Sequence, residues 1–159
     1  MEDKTIKKKF SLEDLKRLKS LEGKKLSEVI YFVWINLTNE NNPFVFIDKI
    51  KLEFENHQSI ILSAGDESDA LIFESNFNPD EENKRLKNEF EGKIILKAHH
   101  ANNDKFWNEV IGKNIDSVQL SKEEDYYLAD AIILDFGKEK RLIAVSPEEG
   151  ILIDFHEEI

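Results

Sequence analysis

Apolar residues recur at helical spacing in three stretches of the chain. From Ser11 onward, Leu12, Leu15, Leu18 and Leu21 make one stripe. Ser11 with Asp14 forms a variant capping box, Phe10 and Leu15 hold the positions of a hydrophobic staple, and Gly23 is a stop. A second helix is predicted from Asn78 as N-cap, with Pro79 at N1 and Glu81 at N3, to Gly92. Its apolar residues are Leu86 and Phe90, which places it on the surface. A third is predicted over 104–111, with Phe106, Trp107, Val110 and Ile111 as its stripe and Gly112 as its stop.

Between these stretches the pattern turns strand-like. Residues 26–37 read as one long strand. Residues 47–54 alternate, with Ile50, Leu52 and Phe54 on one face and Lys49, Lys51 and Glu53 on the other. Further strands are predicted at 59–63, 69–74, 94–97, 115–121, 128–136, 140–146 and 150–155. Turn sequences separate them, among them Asn56-His57, Gly137-Lys138 and Pro147 to Gly150. Long alternating strands joined by short turns predict hairpins and meanders rather than parallel crossovers. The expected fold class is α+β: a mostly antiparallel sheet system with three helices.

The order of elements repeats. Gly23-Lys24-Lys25-Leu26-Ser27-Glu28-Val29 parallels Gly112-Lys113-Asn114-Ile115-Asp116-Ser117-Val118. Asp48 to Phe54 parallels Asp130 to Phe136. The predicted organisation is a basic arm at 1–9, a helix–four-strand unit at 10–77, a connecting surface helix and linker at 78–102, and a second unit at 103–159. The duplication implies pseudo-twofold symmetry within one compact domain.

The two units differ in what their outer faces carry. In 26–37, Ile30, Phe32 and Trp34 make the second face apolar, where the other unit has Gln119 and Ser121. In the next strand the pattern reverses: Lys49, Lys51 and Glu53 stand against Ala131, Ile133 and Asp135. Each unit thus has one strand that is apolar on both sides. The simplest expectation is that these faces cover each other between the units; the rivals are a partner bound at Ile30, Phe32 and Trp34, or a helix laid over them.

Charge narrows the function classes. The net charge of the 159 residues is −11, made of +4 over residues 1–25 and −15 over the rest. So acidic a body repels phosphate backbones, which argues against nucleic acid and for a basic partner at long range. Without cysteine there are no thiol nucleophiles, disulfides or cysteine-held metals. Neither an apolar leader segment nor a membrane-length run is visible, so a cytoplasmic protein is expected.

Catalytic patterns are sparse. His99 and His100 with Asp104 could ligate a divalent metal, but adjacent strand residues face opposite ways, and a catalytic zinc takes three protein ligands. There is no Gly-x-Ser-x-Gly elbow and no glycine-rich phosphate loop. Glu123, Glu124 and Asp125 before Tyr126 and Tyr127 form an acidic–aromatic patch. The expected function is a non-enzymatic acidic interaction module without cofactor, of the inhibitor or immunity type, binding a basic protein through Ile30, Phe32 and Trp34 or through 123–127. The alternatives are a metal-assisted hydrolase using His99, His100 and Asp104, and a self-associating structural protein that forms a homodimer.

Overall fold

The computed structural model describes residues 8–39, 41–65 and 68–156. Most of the arm at 1–9 therefore lies outside the described residues. The elements run α1 (Leu12–Lys19), β1 (Leu26–Asn36), β2 (Phe44–Phe54), β3 (Ser59–Ser63), β4 (Ile72–Glu74), α2 (Pro79–Phe90) and β5 (Ile94–His100). They continue with β6 (Ser117–Gln119), β7 (Lys122–Glu123), β8 (Tyr126–Tyr127), β9 (Ala131–Asp135), β10 (Lys140–Ser146) and β11 (Gly150–Phe155). The fold is mixed α+β with a mostly antiparallel sheet. Nine strands form one sheet, and β7–β8 form a small separate ribbon.

The hydrogen bonding of the large sheet runs in a ring. β1 pairs with β2 along its length, and β2 meets β11 in parallel at Ile47. β11, β10, β9 and β6 follow in antiparallel order. The stretch before β6 then pairs back onto the residues that open β1. Gly23 N–H donates to Ile115 O and Gly112 N–H to Leu26 O; Leu26 N–H donates to Lys113 O and Ile115 N–H to Lys24 O. β11 comes so close to β2 that a Cβ on Gly150 would stand 2.5 Å from the Ile47 carbonyl oxygen, and φ there is +75°.

Inside the ring lies one core. Leu26, Val29, Ile50, Leu52, Leu62, Ile115, Ile132, Leu134 and Ile143 are fully buried in it. Leu18 and Leu21 enter from the first unit, Trp107 and Val110 from the second. Ser11 caps α1 as expected, its Oγ accepting from Asp14 N–H at 3.1 Å. Leu12, however, is 70% exposed, so the buried stripe starts at Leu15.

The structure has two helices among its described residues, not three. Residues 104–111 form successive tight turns that keep the buried side of the expected stripe. The Arg141 guanidinium explains the difference: its Nε donates to the Phe106 carbonyl, which a helix would have used for Val110 N–H. That N–H turns to Trp107 O instead. Arg141 is 1% exposed and also reaches Glu139 at 3.0 Å.

A further correction concerns the two-sided strand. The second apolar face of β1 is not covered by the other unit. It lies under α2, where Leu86 packs on Phe32 and Leu96, with Ile30, Trp34, Phe77 and Ile94 around them. Asn83 fixes the helix to β5 with two bonds to the Leu96 backbone, at 2.8 and 3.1 Å. α2 is thus a tethered lid on a small second core.

Candidate functional site

The alternation of β2 breaks at one point. Phe32 opposes Lys49 but Val33 opposes Ile47, so Asp48 is the extra residue of a β-bulge. A bulge re-aims side chains, and here Asp48 and Lys49, neighbours in a strand, meet with Nζ 2.5 Å from Oδ2. They stand at the edge of α2, where the lid stops short of β3 and β4. The result is a cleft of about 610 Å³.

Its lining combines carboxylates with aromatic rings. Asp48, Glu74, Glu81 and Glu82 face it, with Lys49 and Arg85 as the cations. Trp34, Phe46 and Phe77 are the rings. Glu74 accepts from Ser63 Oγ at 2.8 Å, and Arg85 holds Glu82 and Glu89 at 2.5 and 2.8 Å. Lys49 Nζ also lies 4.7 Å from the centre of the Phe77 ring. Burial raises the Asp48 carboxyl above its usual range; Lys49 opposes that shift, while Glu82 and Glu74 add to it. The ring centres of Trp34 and Phe46 lie 5.4 Å apart with their planes tilted by 55°, and the Trp34 indole Nε1 is buried without a hydrogen-bond partner among the described residues.

Of the side chains expected to bind a partner, Phe32 is buried at 6% exposure, and Ile30 and Trp34 are half-buried. Only Trp34 reaches the cleft. The second expected patch is the β7–β8 ribbon, with Glu123 paired to Tyr126 and Lys122 to Tyr127. It turns through Glu124, at φ 55°, and Asp125. Tyr126 and Tyr127 are 48% and 37% exposed. Each ring carries a lysine of the same chain: Lys9 Nζ is 3.2 Å from the Tyr126 centroid and Lys122 Nζ 5.7 Å from that of Tyr127. The chain segment ahead of α1 runs beside this ribbon, with Phe10 N–H donating to Tyr127 O and Ala129 N–H to Lys8 O.

His99, His100 and Asp104 do not converge. His99 Nε2 lies 3.0 Å from Asp104, whereas His100 Nδ1 lies 2.9 Å from Glu28. The two rings engage different carboxylates, as the strand alternation of β5 dictates. Among the described residues no group of three His, Cys, Asp or Glu side chains is placed to hold a metal ion. Behind His99, Trp107 Nε1 donates to the Tyr31 hydroxyl at 2.5 Å, and burial pushes the Tyr31 hydroxyl up to about 12.

The cleft was missed in the sequence apart from Trp34. A readable signal existed: the polar pair Asp48-Lys49 interrupts the apolar run that starts at Phe44. Comparison of the chain with protein families, curated proteins and solved structures finds no match. Among the described residues no helix is long and apolar enough to cross a membrane.

Proposed function

We propose that this protein is a non-enzymatic, acidic interaction module that binds a basic protein, in the manner of an inhibitor or immunity protein. The observation that carries the reading is the ribbon's grip on the chain's own basic segment. Lys9 sits on the face of Tyr126, in a ribbon that turns through Glu124 and Asp125. An ammonium on an aromatic ring is the arrangement a lysine of a basic partner would meet. The charge of −15 beyond residue 25 would draw such a partner from a distance. The test is affinity capture washed at rising salt, with wild type beside a Tyr126→Ala, Tyr127→Ala variant. A stoichiometric basic partner that leaves at moderate salt, and is captured less by the variant, is the expected result. Retention at molar salt would contradict a charge-led interface.

A second reading, self-association, has its own support. The outer face of β9–β11 carries Ala131, Ile133, Leu142 and Ala144, half-buried, with Leu152 38% exposed. No described helix lies over it. A homodimer would cover that face, and sedimentation showing a monomer at high concentration would remove this reading.

We also infer that the chain is an internal duplication. The reciprocal bonds between 23–26 and 112–115 support it, as do two further matched pairs. Ala64 N–H donates to Asp48 O and Val145 N–H to Asp130 O; Phe54 N–H donates to Gln58 O and Phe136 N–H to Glu139 O.

A further inference from the structure

In an antiparallel pair, residues alternate between bonding toward the neighbouring strand and away from it. Two bonds fix that alternation in β5. Leu37 N–H donates to Lys93 O, and Ala101 N–H donates to Val29 O. The odd-numbered residues from Lys93 to Ala101 therefore bond toward β1, while Leu96, Ala98 and His100 turn their N–H and C=O groups outward. No further strand lies on that side. Three strands end the large sheet, and β5 is the long one, with seven residues against three each in β4 and β6.

One of the outward positions is already filled. Asn83 of α2 lays its side-chain amide on Leu96, Oδ1 accepting from the N–H at 2.8 Å and Nδ2 donating to the C=O at 3.1 Å. The peptide group of a neighbouring strand would make the same two bonds. Ala98 and His100 have no such cover. Both residues are exposed, and among the described residues nothing bonds their outward groups. β6 differs, since the Glu22 carboxylate takes its Val118 N–H at 3.1 Å. β5 also holds no proline, and its register on β1 has no bulge, two of the usual devices that close a free edge. The edge is thus open over Ala98 and His100, with two donors and two acceptors.

We propose that the occupant of this edge is a second copy of the chain, β5 pairing antiparallel with β5 about a twofold axis at His99. A twofold contact must match itself, and this one does. Ala98 of each copy stands opposite His100 of the other, so the two pairs exchange four N–H···O bonds and use every group left open. A shift of two residues one way would bring in Leu96, whose groups Asn83 holds. A shift the other way would set Ala98 opposite Asn102, beyond the end of β5. The pairing joins two large sheets into one, and it rests on neither the outer face of β9–β11 nor the ribbon.

The side chains allow this register. Like charges directly opposite each other destabilise a strand pair, and the lysines avoid that. Lys97 would face Ala101, and the two Lys97 residues would lie four positions apart, about 14 Å. Ala98 would face the His100 ring, which Glu28 holds at 2.9 Å. His99 meets its own copy, and each His99 has the Asp104 carboxylate 3.0 Å from Nε2.

The chain has no cysteine, so one introduced thiol reports the register. Residue 99 would face residue 99 of the other copy in a non-hydrogen-bonded pair, with Cα atoms about 4.5 Å apart, inside disulfide range. With oxidised glutathione, His99→Cys is expected to run as a covalent dimer on a non-reducing gel, and Lys97→Cys as a single chain. Sedimentation equilibrium of the wild type is expected to give twice the chain mass, and Ala98→Pro the single mass. Proline is tolerated there because the Ala98 N–H serves no bond within the chain, so this variant should keep the wild-type circular dichroism. Leu152→Glu, on the outer face of β9–β11, should remain a dimer. A dimer lost in Leu152→Glu and kept in a folded Ala98→Pro would overturn the proposal in favour of that face. A wild-type dimer whose His99→Cys variant does not cross-link would overturn it too, whether or not Ala98→Pro folds. A monomeric wild type at high concentration would overturn both routes to a homodimer, and leaves the ribbon's partner to be judged by its own capture experiment.

Discussion

The outer face of β1 lies beneath α2, whereas among the described residues no helix lies over the outer face of β9–β11. The inner faces hardly differ. Leu26 and Ile115, Ile50 and Ile132, Leu52 and Leu134, and Leu62 and Ile143 are all fully buried in the same core. Outside, Phe32 and Trp34 of β1 stand where the second unit has Ser121 and Glu123. Apolar side chains there need a lid, and Leu86 with Phe77 supplies it. The cleft adjoins that lid, since the start of α2, at Glu81, Glu82 and Arg85, lines it together with residues of β1–β4. Among the described residues from 103 onward there is no helix like α2, and Leu152 of β11 is 38% exposed. Residues 10–77 and 103–156 meet in one inner core, and the layers outside that core differ.

Substitutions can break or sharpen this contrast. The largest effects belong to the shared core. Leu26→Ala and Ile115→Ala should each cost about 3–4 kcal/mol, within about 1 kcal/mol of each other, as read by urea unfolding. Unequal costs well beyond that would mean that the two positions are not structural equivalents. The lid comes next. Leu86→Ala should cost about 3 kcal/mol, since Leu86 is fully buried, whereas Leu152→Ala on the open face should change stability by under about 0.5 kcal/mol.

The comparison of α1 with residues 104–111 turns on Arg141. Arg141→Met should cost about 2–3 kcal/mol, because it leaves the Phe106 carbonyl without its charged donor. The hydrogen-exchange protection lost should be centred on 106–111 rather than on α1. Removing a helix cap is a smaller change: Asn78→Ala should cost about 1 kcal/mol and loosen the lid while the ring of strands keeps its protection.

The smallest effect is a slope with pH. Asp48 has a raised folded pKa, so the folded state holds its proton more tightly than the unfolded chain, whose value is near 3.8. The stability this contributes is full below 3.8 and is lost as pH rises through the folded value. Asp48→Asn should flatten that part of the stability–pH curve and leave the alkaline side alone. There, the raised Tyr31 hydroxyl produces a separate loss between 10.0 and about 12.

How much of this was legible in the sequence differs by element. β3, β10 and β11 have the bounds that their alternation predicts, and α2 starts at Pro79 behind its Asn78 cap. Local rules suffice there, because side-chain alternation and capping are properties of neighbouring residues. They failed at 104–111, where a guanidinium 35 residues away in the chain takes a helix carbonyl. They failed also for Ile30, Phe32 and Trp34: the need for a cover was readable, but the cover's identity was not. The ribbon at 122–127 was read as an acidic–aromatic patch, without its pairing or the lysine on Tyr126.

The sequence by itself determined the α+β composition of elements, the inward faces of the strands and the acidity of the body, since each follows from residue type and period. Tertiary structure alone decided the rest. It closed the strands into a ring, laid α2 over β1, and bulged β2 at Asp48 so that distant carboxylates meet beside three aromatic rings. Those outcomes depend on which surfaces meet, and contact between segments far apart in the chain has no period to announce it.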